Sequence, residues 1–142
     1  MKTRILLLLV MCFIMSAPSY AEEVPAIVTQ GLDAYKASTY TEAFRVWLKG
    51  SPLDADKTTA MNLLGAFTQI ESAYGKFTGY DILRIVALSR STIRVYVEIR
   101  YEKGPLFAFF ECYNSPKGWI IPTVRFHMEA DKLLPDDFFR KR

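Results

Sequence analysis

The hydrophobic pattern changes its period near the middle of the chain. Up to Gly75, apolar side chains recur at spacings of three and four residues, which predicts amphipathic helices. Beyond Gly79, apolar and polar residues alternate, which predicts strands with one buried face. The predicted fold class is therefore α+β, with N-terminal helices packed on a curved, cone-like, four-stranded antiparallel sheet. Since no low-complexity linker interrupts the pattern, residues 22–142 are expected to form one domain.

Three helices are predicted in the first half of the chain. Pro25 suits the first turn of the first helix. The segment Thr39–Glu42 fits a capping box that starts the second helix. The third helix is expected to start near Asp54 or Asp56 and to end at Gly75. The apolar stripes of these helices are typical of a protein core.

The second and third of the four predicted strands are joined by a tight hairpin. The segment Ile93–Tyr101 alternates cleanly, and Lys103-Gly104 fits a two-residue turn after it. This turn places Val95 opposite Cys112. All inward-facing partners in this register are apolar, so one sheet face is expected to receive the helices.

A second turn over Asn114–Gly118 returns the chain as the last strand. The predicted register places Tyr113 opposite Trp119 and Phe110 opposite Pro122. Because proline cannot donate a ladder hydrogen bond, the last strand is expected to lie at an edge of the sheet.

The first strand, Tyr80–Leu88, allows two orientations. One turns inward Ile82, Arg84, Val86 and Leu88. The other turns inward Asp81, Leu83, Ile85 and Ala87. The second is preferred, because Asp81 sits at a strand end whereas Arg84 would be a buried charge in mid-strand.

The sheet face turned away from the helices, here called the outer face, is predicted to be rich in rings and arginines. Its candidate interface residues are Arg94, Tyr96, Arg100, Phe107, Phe109, Tyr113, Trp119 and Arg125. The predicted register places Phe107 between Arg100 and Arg125. Soluble monomers seldom expose so much aromatic surface, and these residue types are enriched in interface cores.

Three explanations of the outer face stay open. A protein interface, most simply a symmetric homodimer, is preferred. A solvated face is the second, since arginine stems and rings can cover one another. The third is a cover formed by the chain's own residues 133–139.

Residues 1–21 fit a secretory signal peptide. A basic start with Lys2 and Arg4 precedes the apolar run Ile5–Met15, and small residues precede a cut after Ala21. As a helix the apolar run would be about 17 Å long, against roughly 30 Å of bilayer hydrocarbon. The expected location is periplasmic or secreted, with no membrane attachment after cleavage.

The two cysteines have different expected fates. Cys12 would suit a lipid-attachment box only after a small residue, and Met11 is not small. Cys112 would remain alone in the exported chain, so no internal disulfide is expected. A lone cysteine in mid-strand is usually a small buried hydrophobe.

The charge balance gives no support to nucleic-acid binding. The full chain has 18 basic and 15 acidic side chains. Removal of residues 1–21 takes away Lys2 and Arg4 and no acid, leaving a nearly neutral protein. A nucleic-acid partner is therefore not expected.

Candidate catalytic chemistry is sparse. His127 is the only histidine, and its predicted position on the outer face favours a surface or interface role. No metal site and no cofactor are expected, because the potential ligands are scattered. Tyr80 and Asp81 are the candidate mouth of a pocket, where a phenol and a carboxylate could transfer a proton.

Two segments carry a resemblance to a known fold family. The run Ala73–Tyr80, where the last helix passes to the first strand, and Gly118-Trp119 resemble small exported bacterial proteins without an assigned activity. Together with the order of elements, they are similar to the nuclear transport factor two-like cone, within the cystatin-like group. This resemblance implies a sheet wrapped around a helix, a pocket between them, and frequent dimerisation through the outer face. Family enzymes place a tyrosine and carboxylates in the pocket, and no such set maps onto this sequence.

The sequence thus predicts an exported, non-catalytic binding or interaction domain. Its expected partner is a second copy of the chain or another periplasmic protein, and a small apolar ligand could occupy the pocket. The alternative is a small-molecule enzyme, an isomerase or hydrolase, that uses Tyr80 and Asp81.

Overall fold

The computed structural model describes residues 23–140, so the predicted signal peptide and Cys12 lie outside the described residues. The helices are α1 (Ala26–Ala37), α2 (Tyr40–Leu48), the single turn α3 (Pro52–Ala55) and α4 (Lys57–Tyr74). The strands are β1 (Phe77–Ala87), β2 (Thr92–Tyr101), β3 (Gly104–Ser115) and β4 (Gly118–His127). Two 3-10 turns follow at Ala130–Lys132 and Asp136–Phe138.

The strands form one open antiparallel sheet in the order β1-β2-β3-β4. The helices precede it in the chain and pack on one of its faces, and the α+β fold class predicted from the sequence is confirmed. The third predicted helix is confirmed as α4, which Asp56 caps by accepting a 3.0 Å hydrogen bond from the Thr59 amide and which ends just before Gly75; the single turn α3 precedes it. Thr39 occupies the N-cap position of α2 as expected, but its side chain makes no capping hydrogen bond.

The register of β2 against β3 differs from the prediction by two residues. The turn residues are Glu102 and Lys103, so Ile93, rather than Val95, lies opposite Cys112. Gly104 is the first paired residue of β3, and a Cβ there would lie 3.2 Å from the Tyr74 ring. A shift of two keeps every side chain on its predicted face, because the side-chain period of a strand is two.

The predicted β3–β4 register is also wrong, and here the error changes which sheet face one residue occupies. Phe110 lies opposite Val124, whereas Tyr113 lies opposite Ile120, so β4 holds one extra residue near Pro122. Proline cannot donate to the ladder, which makes this the natural place for an irregularity. The extra residue turns Trp119 toward the helix side, away from its predicted outer position.

The β1 strand adopts both of the orientations considered for it, one after the other. Ile82 pairs with Val97 and packs on the core, but Arg84 pairs with outward-facing Tyr96. The register shifts between Ile82 and Arg84, so Leu83 forms a bulge. The preferred inward orientation of Asp81 and Leu83 is therefore wrong, since Leu83 packs with Tyr96 and Phe109 on the outer face.

The main core lies between the helices and the inner sheet face. Trp47 of α2 is fully buried, with its ring 4.8 Å from Phe110 and its indole N–H donating to the Val28 carbonyl at 3.1 Å. Gly31 of α1 lies directly against this indole, where any Cβ would overlap the ring. The hairpin of α1 and α2 can approach this closely because residue 31 has no side chain.

The C-terminal segment 130–140, here called the tail, crosses the outer face. Leu134 is only 8% exposed and packs with Tyr96 and Phe109. Phe138 lies edge-on to Tyr96, with the ring centroids 5.5 Å apart. A cover by the chain's own tail, the third explanation considered for the outer face, therefore applies to this part of the sheet.

Candidate functional site

The predicted interface residues are divided among different environments. Tyr96 and Phe109 are buried beneath the tail, and Trp119 packs with the core. Phe107 is half-buried beside Tyr96 and Phe109, whereas 40% of Tyr113 is exposed. The eight residues therefore do not form one continuous exposed patch.

The arginines of the outer face also have other neighbours than those predicted. Phe107 pairs with Glu98 and His127, so it does not lie between Arg100 and Arg125. Arg100 pairs across the strands with Pro105 and forms an ion pair with Asp81 on the outer face.

Arg94 contacts both a carboxylate and an aromatic ring on the outer face. Its Nη2 donates to Glu111 at 2.7 Å, and its guanidinium lies 4.4 Å over the Phe109 ring. Hydrogen bonds to Tyr96 and Glu111 raise the pKa of Arg94, so the guanidinium keeps its charge. Its Nε is nonetheless buried and has no hydrogen-bond partner among the described residues.

Tyr80 and Asp81 point to opposite faces of the sheet. The Tyr80 hydroxyl donates to Asp33 at 3.1 Å on the helix side, and burial together with this contact raises its pKa. The Asp81 carboxylate binds Arg100 on the other side. The enzyme alternative required these two groups to converge on a common cavity, and they do not.

Two buried tyrosines and one glutamate, Tyr101, Tyr35 and Glu71, form a hydrogen-bonded chain that the sequence patterns did not reveal. Tyr35 donates to Glu71 at 2.7 Å, so Tyr101 must supply the proton of the 3.0 Å contact between the two phenols. Burial is the main cause that raises the pKa of both tyrosines. Both phenols therefore stay protonated, which favours a structural role over proton transfer.

An apolar groove of about 420 Å³, here called the α4 groove, lies between α4 and the ends of β3 and β4. Its lining consists of Ala66, Gln69, Ile70, Ala73, Tyr74, Leu106, Phe126, His127, Met128 and Glu129. Ile70 and Tyr74 belong to the helical stripe that predicted core, but both remain half-exposed. Periodicity identifies such a stripe, and it cannot tell whether another element covers it completely.

His127 provides a defined polar group in the α4 groove. Its Nδ1 accepts a 2.9 Å hydrogen bond from the Glu129 amide. Because a backbone amide can only donate, the neutral imidazole must carry its proton on Nε2. The Nε2–H forms no hydrogen bond with the described residues.

A second cleft of about 450 Å³, here called the tail cleft, lies between the tail and the outer face of β3 and β4. Its lining consists of Arg94, Phe109, Glu111, Thr123, Arg125, Lys132 and Leu133. The sequence predicted Arg94, Phe109 and Arg125 as neighbours of a partner protein. Thr123 and Lys132 were missed, because the position of the tail cannot be read from strand alternation.

Comparisons with protein-family models, curated proteins and solved structures find no match to this chain. Within residues 23–140, no group of three or more His, Cys, Asp or Glu residues is placed to hold a metal ion. In the same range no helix has the length and hydrophobicity needed to cross a bilayer.

Proposed function

We propose that this protein is an exported, non-catalytic binding domain that takes a small apolar molecule in the α4 groove. The observation that carries the proposal is the groove itself, where apolar side chains of α4 face apolar side chains of the sheet without closing on them. Its volume of about 420 Å³ falls in the usual range of small-molecule sites, roughly 300–1,000 Å³.

The incomplete burial of α4 supports a ligand. This helix has 18 residues, yet Phe67 is its only fully buried side chain. Ile70, Tyr74 and Phe126 present half-exposed apolar surface to the same space. A bound apolar molecule would remove that surface from water, at roughly 25 cal/mol for each Å² buried.

The polar groups of the groove favour recognition rather than chemistry. The His127 Nδ1 is engaged by the Glu129 amide, which leaves Nε2–H to orient a ligand. Gln69 adds an amide from α4. A mainly apolar wall with a few placed polar groups is typical of small-molecule binding.

A neutral fluorescent probe, N-phenyl-1-naphthylamine, tests the proposal. Ala73 is exposed and lines the groove, so the change Ala73→Trp fills the groove without disturbing the core. We expect saturable fluorescence enhancement with the unaltered chain and an affinity lowered about tenfold or more by the substitution, since each 1.4 kcal/mol of lost contact is one decade.

The neighbouring change Ser72→Trp is the matched control, because Ser72 is exposed on the same helix and does not line the groove. It should leave probe binding unchanged. Equal binding by both variants and the unaltered chain would refute the α4 groove as the site.

Self-association through the outer face stays a prediction, as does binding of another periplasmic protein. The tail covers Tyr96 and Phe109, so the surface left for such a contact includes Arg100, Tyr113 and Arg125. Light scattering over a dilution series measures whether the chain is a dimer.

A further inference from the structure

We infer that the tail cleft is a binding site for a small oxyanion, the carboxylate or phosphate group of a small molecule. The tail cleft lies on the opposite face of the sheet from the α4 groove. Binding in the tail cleft is therefore independent of the function proposed for the α4 groove. The inference rests on the charge that remains unpaired in the cleft and on the donors around it.

The charges of the tail cleft leave a positive excess. It contains three cationic side chains and one carboxylate, that of Glu111. Arg94 engages this carboxylate at 2.7 Å, and the two side chains are 29% and 25% exposed. The pair is thus partly shielded from water and neutralises itself.

Arg125 and Lys132 are the two remaining cations. Arg125 forms no ion pair with any residue in the range 23–140. Lys132 has only a 4.0 Å contact with Asp131, and both of these side chains are more than half exposed. Exposed pairs of this kind contribute little, so the cleft presents nearly two unpaired positive charges to a ligand.

Arg94 provides an independent indication of a missing acceptor. Its Nε–H is buried and has no hydrogen-bond partner within residues 23–140, although both terminal nitrogens of the guanidinium are engaged. A buried donor left unsatisfied costs about 1–3 kcal/mol. Arg94 lines the tail cleft, and its guanidinium is a fork-like group that suits the oxygen atoms of an oxyanion.

The other walls restrict the ligand to a small organic anion. Thr123 adds a hydroxyl group that can donate a hydrogen bond. Phe109 and Leu133 add apolar surface beside the charged groups. A cleft of about 450 Å³ lacks the extended basic surface that a nucleic acid needs.

The test is a titration followed by amide NMR shifts, with sodium phosphate in one series and sodium benzoate in another, at constant ionic strength set by chloride. We expect saturable shifts at Thr123, Arg125 and Lys132. The change Arg125→Gln should weaken binding about tenfold or more, because it removes a charge-assisted contact. Arg125 is exposed, so this variant is expected to keep the fold, as circular dichroism can verify.

The matched control is Lys117→Gln, which removes an exposed charge from the β3–β4 turn outside the cleft. It should not change the affinity. Saturation by phosphate alone assigns the site to phosphate groups, saturation by benzoate alone assigns it to organic carboxylates, and both together support a general oxyanion site. No saturable shift with either probe, or equal weakening by the two substitutions, would overturn the inference.

Discussion

At the scale of single residues, close approach between helices depends on one glycine. Gly31 faces the indole of Trp47, which is fully buried and bonded to the Val28 carbonyl. The sequence pattern places Trp47 in the core, but it gives no sign that position 31 must lack a side chain. That requirement comes from the distance between α1 and α2.

The change Gly31→Ala should therefore lower the free energy of unfolding by about 3 kcal/mol, because the added methyl overlaps a ring that has no free space to move into. Gly65 offers the control, since it lies in α4 with no atom within 4 Å of an added Cβ. Gly65→Ala should raise stability by about 0.5–1 kcal/mol through helix propensity. Urea unfolding followed by tryptophan fluorescence measures both, and similar effects of the two changes would contradict the close packing at Gly31.

At the scale of elements, the tail decides what the outer face can do. It brings Leu134 and Phe138 onto Tyr96, and Arg84 fastens it by lying 3.7 Å over the Phe138 ring and by donating to Asp137 at 2.7 Å. The Asp137 side chain of this ion pair is 57% exposed, so the pair contributes at most about 1 kcal/mol. Burial of apolar surface must therefore supply most of the attachment.

The change Leu134→Ala should lower the free energy of unfolding by about 2 kcal/mol, the lower end for a buried leucine, because its site lies at the protein surface. Phe139→Ala in the same tail is the control. Since 54% of Phe139 is exposed, its loss should cost less than about 0.5 kcal/mol. If urea midpoints show that both changes are equally mild, the tail does not pack on the outer face in solution.

At the scale of the whole molecule, one buried thiol and two buried phenols make the stability of the fold decrease at alkaline pH. Burial, with a smaller effect of the Glu111 charge, raises the pKa of the Cys112 thiol to about 12 from an ordinary value of 9.0. Burial likewise raises the pKa of Tyr35 and Tyr101. The unfolded chain loses these protons at lower pH than the folded chain, so rising pH favours unfolding.

We expect full stability below about pH 9 and a progressive loss between pH 9 and 12, of which the thiol accounts for roughly 4 kcal/mol. Urea midpoints measured across this range test the sign. In the variant Cys112→Ala the decline should be shallower, although its stability at neutral pH is lower. An unchanged slope in that variant would mean that the thiol is accessible in the folded protein.

The sequence predicted one part of the sheet better than the rest. Alternation alone predicted the faces of β2 residues such as Val95 and Tyr96. These faces are correct although the register was wrong by two residues, because strand faces repeat every two residues. The predicted face of Trp119 is wrong, because one extra residue near Pro122 reverses the face of every β4 residue that precedes it. Alternation therefore predicts faces only within an uninterrupted ladder.

The sequence by itself determined the order of helices before strands, the α+β class and the apolar inner face, because these depend on local periodicity and on the burial of one side of each element. Only the tertiary structure decided the registers, the bulges at Leu83 and near Pro122, the tail over the outer face and the two clefts. These features depend on contacts between segments that are distant in the chain. Their energies come from packing against particular neighbours, which no local pattern specifies.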